Sequence, residues 1–381
     1  MTLRRLSERL ARHGAPGPEA PEPELARHAH TGPELSWSYT ETPFGRATVS
    51  AERLDAGPFL SSRRPETATW RCHHPLERLL GDERLIGFRP EDALYLDIEA
   101  TGLSHGAGTF AFLIGCAVVE GGQVHVEQLF VPDPTDELPA LSRFLELLDA
   151  RPYLVSFNGK SYDLSVLESR LVITRLLSRS EASLKLRPHL DLLHVSRQAY
   201  KGVFGDTRLQ TLERAVLGLD PKEREDDVPG SLVPALYFHY LRTGDARHLE
   251  PVLRHNRTDV LSMVALAAHL VDLLRAPCGD AEILLNLGRA ALRRGLPDRA
   301  ARLLEDALAA GLADPLERLA LEDLVTAARR AERPALHAFA LDRLIDLLTP
   351  HEATLLARLT RARQRLRPGV AGQPPSRITS P

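Results

Sequence analysis

Runs of hydrophobic residues in the first half of the chain predict three neighbouring β-strands. DALYLDI (92–98) and TFAFLIGCAVV (109–119) are nearly continuous apolar runs of the kind that buried strands carry. QVHVEQLFV (123–131) alternates apolar and polar residues, which indicates a strand with one covered face. Gly121 and Gly122 separate the last two runs, and a Gly-Gly pair favours a tight hairpin.

The pattern then changes to alternating helices and strands. DELPALSRFLELLDA (136–150) has helical periodicity, YLVSF (153–157) predicts a fourth strand, and another helix is expected to begin near Lys160. Residues 189–271 are predicted to be mainly helical. Three strands, a helix, a strand and further helices describe an α/β layer fold.

Small and apolar residues beyond Pro277 follow a different period. AEILLNLGRAALRRGLPDRAARLLEDALAAGL matches the tetratricopeptide template, in which small residues let two paired helices pack closely. The matching residues are Leu284, Leu287, Gly288, Ala291, Ala300, Leu304 and Ala307. Residues 316–348 are also predicted to be helical, although they fit the template poorly. We therefore predict a small all-α, tetratricopeptide-like region over residues 278–366.

The remaining segments complete the predicted domain organisation. Residues 14–34 are rich in Pro, Gly and Glu, which is typical of disorder, so a disordered segment is expected over residues 1–35 and a disordered tail over residues 367–381. Residues 36–90 carry patterns for short strands and a short helix, which we expect to pack on an α/β domain spanning residues 91–275.

Composition restricts the class of protein. Of 381 residues, 43% are hydrophobic and 26% are charged, and no apolar run approaches the roughly 20 residues that a membrane span needs. The three cysteines are far apart, so no disulfide framework is implied, and the first residues lack the apolar core of a secretory signal. We expect a cytoplasmic protein. A net charge of −3 excludes a uniformly basic nucleic-acid coat but leaves room for a local basic groove.

Asp97 and Glu99 form the first candidate chemical cluster. Positions i and i+2 of a strand point to the same face, so both carboxylates leave one side of a buried strand. Adjacent carboxylates repel each other, and a shared cation is a common way of holding them together. The alternative is an ordinary solvated strand end.

The segment FNGKSYD carries the second cluster. Asn158 closes a short apolar strand, and Asp163 falls in the first turn of the next helix, at the strand end where α/β folds place ligands. Asp163 would then face bound metal, with Asn158 and Lys160 near substrate or phosphate. Alternatively, Asn158 is a turn residue, and Asp163 only favours the helix N-terminus electrostatically.

His255 and Asp259 in HNRTDVLSM form the third cluster. Four residues apart on a helix, they share a face, so the aspartate could bind metal while the histidine orients or deprotonates a water molecule. An ordinary His–Asp pair on a partly exposed helix is the alternative.

Taken together, the three clusters resemble the motifs of the DEDD superfamily of 3′–5′ exonucleases. FNGKSYD is similar to the second motif, and HNRTDV to the third, of the proofreading exonucleases of family-B DNA polymerases. In that branch a tyrosine usually lies four residues before the last aspartate, where this chain has His255. The branch that uses histidine normally places it five residues before, where this chain has Arg254.

A further resemblance covers roughly residues 90–271 and is to the YprB-like family of predicted ribonuclease-H-like exonucleases. It is carried by DIEATGLSHGAGTFAFLIG, FNGKSYD, HLDLLHVSRQAYK, TRLQTLERAVLG, DVPG and HNRTDVLSM. Members of that family can carry tetratricopeptide-like helices after the nuclease domain. The resemblance implies a ribonuclease-H-like mixed sheet flanked by helices, metal dependence and a nucleic-acid substrate, such as a single-stranded DNA or RNA end.

The resemblance also implies roles for individual residues. Two divalent cations, Mg²⁺ or Mn²⁺, would be bound by four carboxylates, those of Asp97, Glu99, Asp163 and Asp259. His255 would act as the general base or position the attacking water. Thr101, Gly102 and Leu103 follow the first motif, where related exonucleases place an apolar residue against the terminal base, and Leu103 is the candidate. Asp191 in HLDLLH is interpreted as a structural or supporting residue.

Basic residues between the second and third motifs offer a possible path for the substrate. They are Arg170, Arg175, Arg179, Arg187 and Arg197, followed by Tyr200 and Lys201. Such a stretch could follow a phosphate backbone with the tyrosine stacked on a base, or it could be a solvated helix face.

Two other functional classes remain open from the sequence. One is a nucleic-acid-binding module with weak catalysis. The other is a partner-activated endonuclease, in which the C-terminal helices contact a protein.

Overall fold

A computed structural model describes residues 37–60, 74–102, 108–177, 184–225, 227–278, 280–348 and 350–366. Leu103 and the two terminal segments that were predicted to be disordered lie outside these ranges. The chain divides into two units. The first unit comprises Met1–Leu60, Arg89–Leu192 and Leu217–Leu266, and the second comprises Ser61–Phe88, Leu193–Val216 and Ala267–Pro381.

The described strands of the first unit form one mixed sheet. They are β1 (Ser38–Thr42), β2 (Gly45–Asp55), β3 (Ala93–Ala100), β4 (Ala111–Glu120), β5 (Gln123–Phe130), β6 (Tyr153–Ser156) and β7 (His189–Asp191). Their order is β1-β2-β5-β4-β3-β6-β7. The pairs β1–β2, β2–β5, β5–β4 and β4–β3 are antiparallel, whereas β6 pairs parallel with both β3 and β7. The predicted α/β fold with a ribonuclease-H-like mixed sheet is confirmed.

The predicted hairpin and the early strands are both present. Gly121 and Gly122 connect β4 to β5 with φ values of +58° and +76°, which glycine adopts without steric cost. The short strands expected before residue 90 are β1 and β2, and β2 pairs with the far edge of β5. This region therefore extends the sheet by two strands.

Helices connect and follow the strands. They are α1 (Gly57–Leu60), α2 (Leu76–Leu80), α3 (Glu137–Asp149), α4 (Asp163–Ile173), α5 (Leu192–Tyr200), α6 (Leu209–Leu212), α7 (Val233–Thr243), α8 (Glu250–Arg275), α9 (Ala281–Arg293), α10 (Pro297–Ala310), α11 (Leu316–Arg330), α12 (Pro334–Asp346) and α13 (Ala353–Gln364). None of the described helices is both long enough and apolar enough to cross a membrane.

Two details differ from the sequence prediction. Residues 189–271 are predicted to be mainly helical, but the first three, 189–191, form β7, in which Leu190 pairs with Val155 of β6. A three-residue strand is too short to show a periodic pattern, and its partner strand defines it. The helix expected near Lys160 begins at Asp163, after a turn that starts at Asn158 with a φ of +66°.

The core of the first unit is an apolar layer on the sheet. Leu94, Leu96 and Ile98 alternate with the acidic positions of β3 and belong to this core. Tyr237 of α7 stacks on Phe112 at a centroid distance of 4.3 Å and donates a 2.7 Å hydrogen bond to the Val131 carbonyl. The alternation of β3 therefore leaves its carboxylates on the opposite face.

The second unit contains the predicted helix pair. Gly288 of α9 lies so close to α10 that a Cβ atom there would be 3.0 Å from Cγ of Leu304. All seven small or apolar residues of the predicted pair are buried. The pairing of α9 with α10 is thus explained by small residues at the contact, while the assignment to the tetratricopeptide class stays a prediction.

Candidate metal centre

Asp97 and Glu99 lie at the end of β3, on the face opposite the apolar core. Both are partly buried, while Ile98 between them is 7% exposed. The pairing of β3 with β4 shifts register between Glu99 and Ala100. Such irregularities re-aim side chains and are common beside active sites. The alternation predicted from the sequence therefore does place both carboxylates on one side of the sheet.

A hydrogen-bond chain crosses the sheet to hold Asp97. Asp97, Gly115 and Gln128 lie side by side on β3, β4 and β5. Asn256 of α8 lies above Gly115 and donates from Nδ2 to Oδ2 of Asp97 at 2.8 Å. Gln128 Nε2 donates in turn to Oδ1 of Asn256 at 2.9 Å and to the Leu253 carbonyl at 2.8 Å.

Gly115 makes this close approach of α8 possible. A Cβ atom at residue 115 would lie 2.2 Å from Oδ1 of Asn256, well inside any tolerable contact. Asn256 and Gln128 are not among the residues that the sequence predicts for the site. The local signal for Asn256 is an amide side chain beside His255 in HNRTD. Its hydrogen-bond partners Gln128 and Asp97 lie 128 and 159 residues away along the chain.

Asp163 reaches the same side from the first turn of α4. It is 8% exposed, and Gly159 provides the space for its carboxylate, because a Cβ atom there would lie 2.8 Å from Oδ2 of Asp163. The turn before α4 is held by Asp191 of β7, whose carboxylate accepts hydrogen bonds from the backbone N–H groups of Asn158 at 2.8 Å and Lys160 at 3.2 Å. These contacts support the interpretation of Asp191 as a supporting residue.

The other predicted substrate residues surround this turn. Asn158 is exposed and Lys160 is half-buried. The Tyr162 hydroxyl donates to the carbonyl of Gly102, which links the start of α4 to the end of β3. The Thr101 hydroxyl accepts a 3.2 Å hydrogen bond from the Phe110 N–H, and its role in binding substrate stays a prediction. Leu103, the candidate wedge, lies outside the described residues.

His255 and Asp259 come from α8 and meet two residues of the segment before α7. His255 Nδ1 lies 2.8 Å from Oδ2 of Asp227 and 2.9 Å from Nη1 of Arg224. His255 Nε2 lies 3.6 Å from Oδ2 of Asp259. Arg224 donates from Nη2 to Oδ1 of Asp259 and forms a 3.3 Å ion pair with Asp227. The sequence analysis did not single out Arg224 or Asp227.

The electrostatics show that the carboxylates are brought close enough to repel one another. Burial, followed by repulsion from Asp259, Asp163 and Glu99, raises the pKa of Asp97 well above its usual range. Burial is also the largest cause for Glu99, whose pKa rises to about 7 although the nearby His255 opposes the shift. Burial and the charge of Glu99 raise the pKa of Asp163 to about 8.

The pKa of His255 is also raised, but burial and the neighbouring carboxylates act on it in opposite directions. Burial acts to lower the pKa of His255, but the carboxylates of Asp259, Asp227 and Glu99 outweigh it and raise the pKa overall. Four interacting acidic groups thus lie beside one imidazole, and one of them, Asp259, is paired with Arg224.

This donor set fits hard divalent cations. Carboxylate oxygens are the ligands that Mg²⁺ and Mn²⁺ prefer. Within the described ranges, no lysine or arginine forms an ion pair with Asp97, Glu99 or Asp163, so their mutual repulsion is left for cations to relieve. In the described part of the chain, no three of the four carboxylates can each offer one oxygen so that the three oxygens lie within 4.8 Å of one another. Two ions would divide the four carboxylates between them, so no three would need to share one ion.

A second group of potential ligands lies at the end of α7. The ligand atoms of His239, Asp245 and His248 all lie within 4.8 Å of one another. However, both carboxylate oxygens of Asp245 accept hydrogen bonds from Arg247, at 2.7 to 3.1 Å. That aspartate already has a cationic partner, unlike Asp97, Glu99 and Asp163.

The predicted basic path is wrong for two of its members. Arg170 is 2% exposed and forms a buried ion pair with Glu137 through two 2.6 Å hydrogen bonds, so it holds α4 against α3. Tyr200 is also 2% exposed, which excludes stacking on a base, and its hydroxyl contacts His269 at 2.7 Å. Arg187 contacts the Leu148 carbonyl at 3.0 Å. Arg179 lies outside the described residues.

Comparison with known proteins agrees with this fold. Residues 94–271 match the family model described as RNase_H superfamily. Over 186 residues the chain is 36% identical to a protein from Bacillus subtilis (strain 168) described as "Uncharacterized protein YprB". The alignment covers 48% of this chain and 43% of that relative's own length.

Proposed function

We propose that the ribonuclease-H-like domain hydrolyses phosphodiester bonds of nucleic acid, as a 3′–5′ exonuclease that uses two divalent cations. The observation that carries this proposal is the convergence of Asp97, Glu99, Asp163 and Asp259 from β3, α4 and α8. Mutual repulsion among buried carboxylates is costly, and it serves a purpose when cations are bound there. The match to the ribonuclease H superfamily supports nuclease chemistry.

In this proposal the four carboxylates hold two Mg²⁺ or Mn²⁺ ions. When bound, such ions supply Lewis acidity, which makes a water molecule acidic and stabilises charge on the phosphate. The chain's own residues position these ligands: Asn256 orients Asp97, and Arg224 orients Asp259. Hydrogen bonds to ligating carboxylates of this kind are needed for affinity as well as for geometry.

His255 is the proposed general base. Its Nε2 faces Oδ2 of Asp259 at 3.6 Å, on the side of the carboxylate cluster. A neutral imidazole there accepts the proton of the attacking water, and general base catalysis of this type typically contributes about 10²- to 10⁴-fold. Arg254, at the spacing of the other exonuclease branch, is exposed.

The substrate is proposed to be a single-stranded DNA or RNA end. Asn158 is exposed beside the cluster, and Lys160 is half-buried two residues further on, where a phosphate could be contacted. The helices α9–α13 are the proposed contact for a protein partner, which an affinity pulldown with and without residues 278–366 would test.

An end-labelled nuclease assay tests the proposed activity. The purified protein would be incubated with Mn²⁺ or Mg²⁺ and with single- and double-stranded DNA and RNA, labelled separately at either end. Stepwise shortening from the 3′ end is expected. Asp97→Ala should abolish it, whereas Glu168→Gln should not, because Glu168 lies on α4 and its ion pair among the described residues is a 3.9 Å contact to Lys185.

Three outcomes would contradict parts of the proposal. Cleavage of a circular single strand would indicate an endonuclease, since a circle has no end. Equal activity in folded Asp97→Ala protein would contradict the metal assignment. Tight binding of nucleic acid without turnover in either metal would indicate a binding module.

A further inference from the structure

The ring of His255 is held between two residues of one short segment. Asp227 and Arg224 both contact Nδ1, at 2.8 Å and 2.9 Å, whereas Nε2 faces the carboxylate cluster. The side chains of Arg224 and Asp227 are 11% and 15% exposed, so these contacts are largely shielded from water. The protonation of Nδ1 therefore depends on which neighbour acts as its partner.

The two neighbours make opposite demands on Nδ1. Asp227 is an acceptor, so it requires a proton on Nδ1, whereas arginine can only donate and would require Nδ1 to be unprotonated. A proton on Nδ1 satisfies Asp227, the nearer of the two at 2.8 Å, and it still leaves Arg224 with carboxylate acceptors, because Arg224 also donates to Oδ2 of Asp227 and to Oδ1 of Asp259. Nε2 is then the unprotonated nitrogen of the neutral ring, and it faces the site.

We propose that Asp227 is a positioning residue that keeps the proton of neutral His255 on Nδ1 and so leaves Nε2 free to accept a proton from water. Arg224 supports this arrangement by linking Asp227 to Asp259. The inference rests on the proposed nuclease function. It also gives His255 a defined role despite its unusual spacing, since its orientation comes from a segment outside α8.

The substitution Asp227→Asn tests the proposal because it removes the negative charge with little change in size. The Asn amide and Arg224 would both be able to donate to Nδ1, so the proton of the neutral ring moves to Nε2, where it blocks the acceptor. Asp220→Asn is a matched control. Asp220 is exposed in the same segment, and its side chain accepts only from the backbone N–H of Lys222 in the described contacts.

Kinetics would separate a positioning role from a merely structural one. We expect Asp227→Asn to lower kcat by about 100-fold or more, the lower end of general base catalysis, with KM, Mn²⁺ affinity and thermal stability close to those of Asp220→Asn. In the His255→Gln background, Asp227→Asn should have no further effect, because both changes remove one function. If the double variant instead loses kcat by the product of the two single losses, the proposal is overturned.

A second measurement does not depend on activity. Nitrogen-15 NMR of the histidine rings, assigned with His255→Gln and recorded above the pKa of the ring, reports which nitrogen carries the proton. We expect Nδ1–H in the unaltered protein and in Asp220→Asn, and Nε2–H in Asp227→Asn. An unchanged tautomer in Asp227→Asn would overturn the role of Asp227. If the unaltered protein shows the expected tautomer but no hydrolysis, the proposed function fails and the positioning by Asp227 stands.

Discussion

Replacing the ionisable carboxyl group of Asp163 with an amide should make the metal-free protein more stable while preventing it from responding to metal. Burial and the charges of Glu99, Asp191 and Asp259 raise the pKa of Asp163 to about 8, from the usual 3.8. A carboxyl group with a raised pKa in the folded state destabilises the fold progressively as pH rises from the unfolded pKa to the folded one. Asp163→Asn keeps the size of the side chain and removes this cost.

The magnitude follows from the two pKa values. At pH 7 the folded protein still holds the proton that the unfolded chain has released, and the gap between pH 7 and the unfolded pKa is about 3 units. At about 1.4 kcal/mol per unit, this corresponds to a cost on the order of 4 kcal/mol. Asp163→Asn should therefore raise the free energy of unfolding of the metal-free protein by up to about that amount. The gain should vanish near pH 4.

Thermal unfolding with chelator and then with Mg²⁺ would measure both effects. In chelator at pH 7, Asp163→Asn should have the higher Tm, and Glu168→Gln on the same helix should match the unaltered protein. Saturating Mg²⁺ should raise the Tm of the unaltered protein and of Glu168→Gln, because a ligand at about 100 times its Kd stabilises by about 2.7 kcal/mol. A lower Tm for Asp163→Asn than for the unaltered protein in chelator would refute the reasoning. So would a Tm increase in Mg²⁺ as large for Asp163→Asn as for the unaltered protein.

Three further predictions concern the supporting contacts and the pH dependence. Asn256→Ala should lower metal affinity by about 10- to 100-fold in calorimetry, because Asp97 and Gln128 both lose a buried partner; unchanged affinity would contradict this. Gly115→Ala should lower Tm and weaken metal binding, because its Cβ atom displaces Asn256, whereas Gly121→Ala, with open space around it but a φ of +58°, should lower Tm without affecting metal affinity. The Tm shift produced by Mg²⁺ should grow between pH 6 and pH 8, because metal binding requires the carboxyl groups to lose protons; a constant shift would argue against these ligands.

Local sequence patterns predict many of the strands and helices of this protein. The strands β3, β4 and β5, the Gly-Gly hairpin and the α9–α10 pair follow from short-range periodicity, which depends only on neighbouring residues. The positions of Asp97 and Glu99 on one face follow from the two-residue period of a strand. The order of the acidic motifs also suggested which carboxylates belong together, before any contact between β3, α4 and α8 was known.

Only the tertiary structure decided what those carboxylates touch. The chain Gln128–Asn256–Asp97 depends on the register of three strands and on the missing side chain of Gly115. The burial of Arg170 against Glu137 could not be inferred from a basic stretch, because an arginine on a helix has the same sequence signal whether it faces water or a partner. Arg224 and Asp227 likewise acquire their roles from packing against a helix about 30 residues further along the chain. Sequence periodicity reports which face of an element is covered, whereas the identity of the covering group is set by long-range packing.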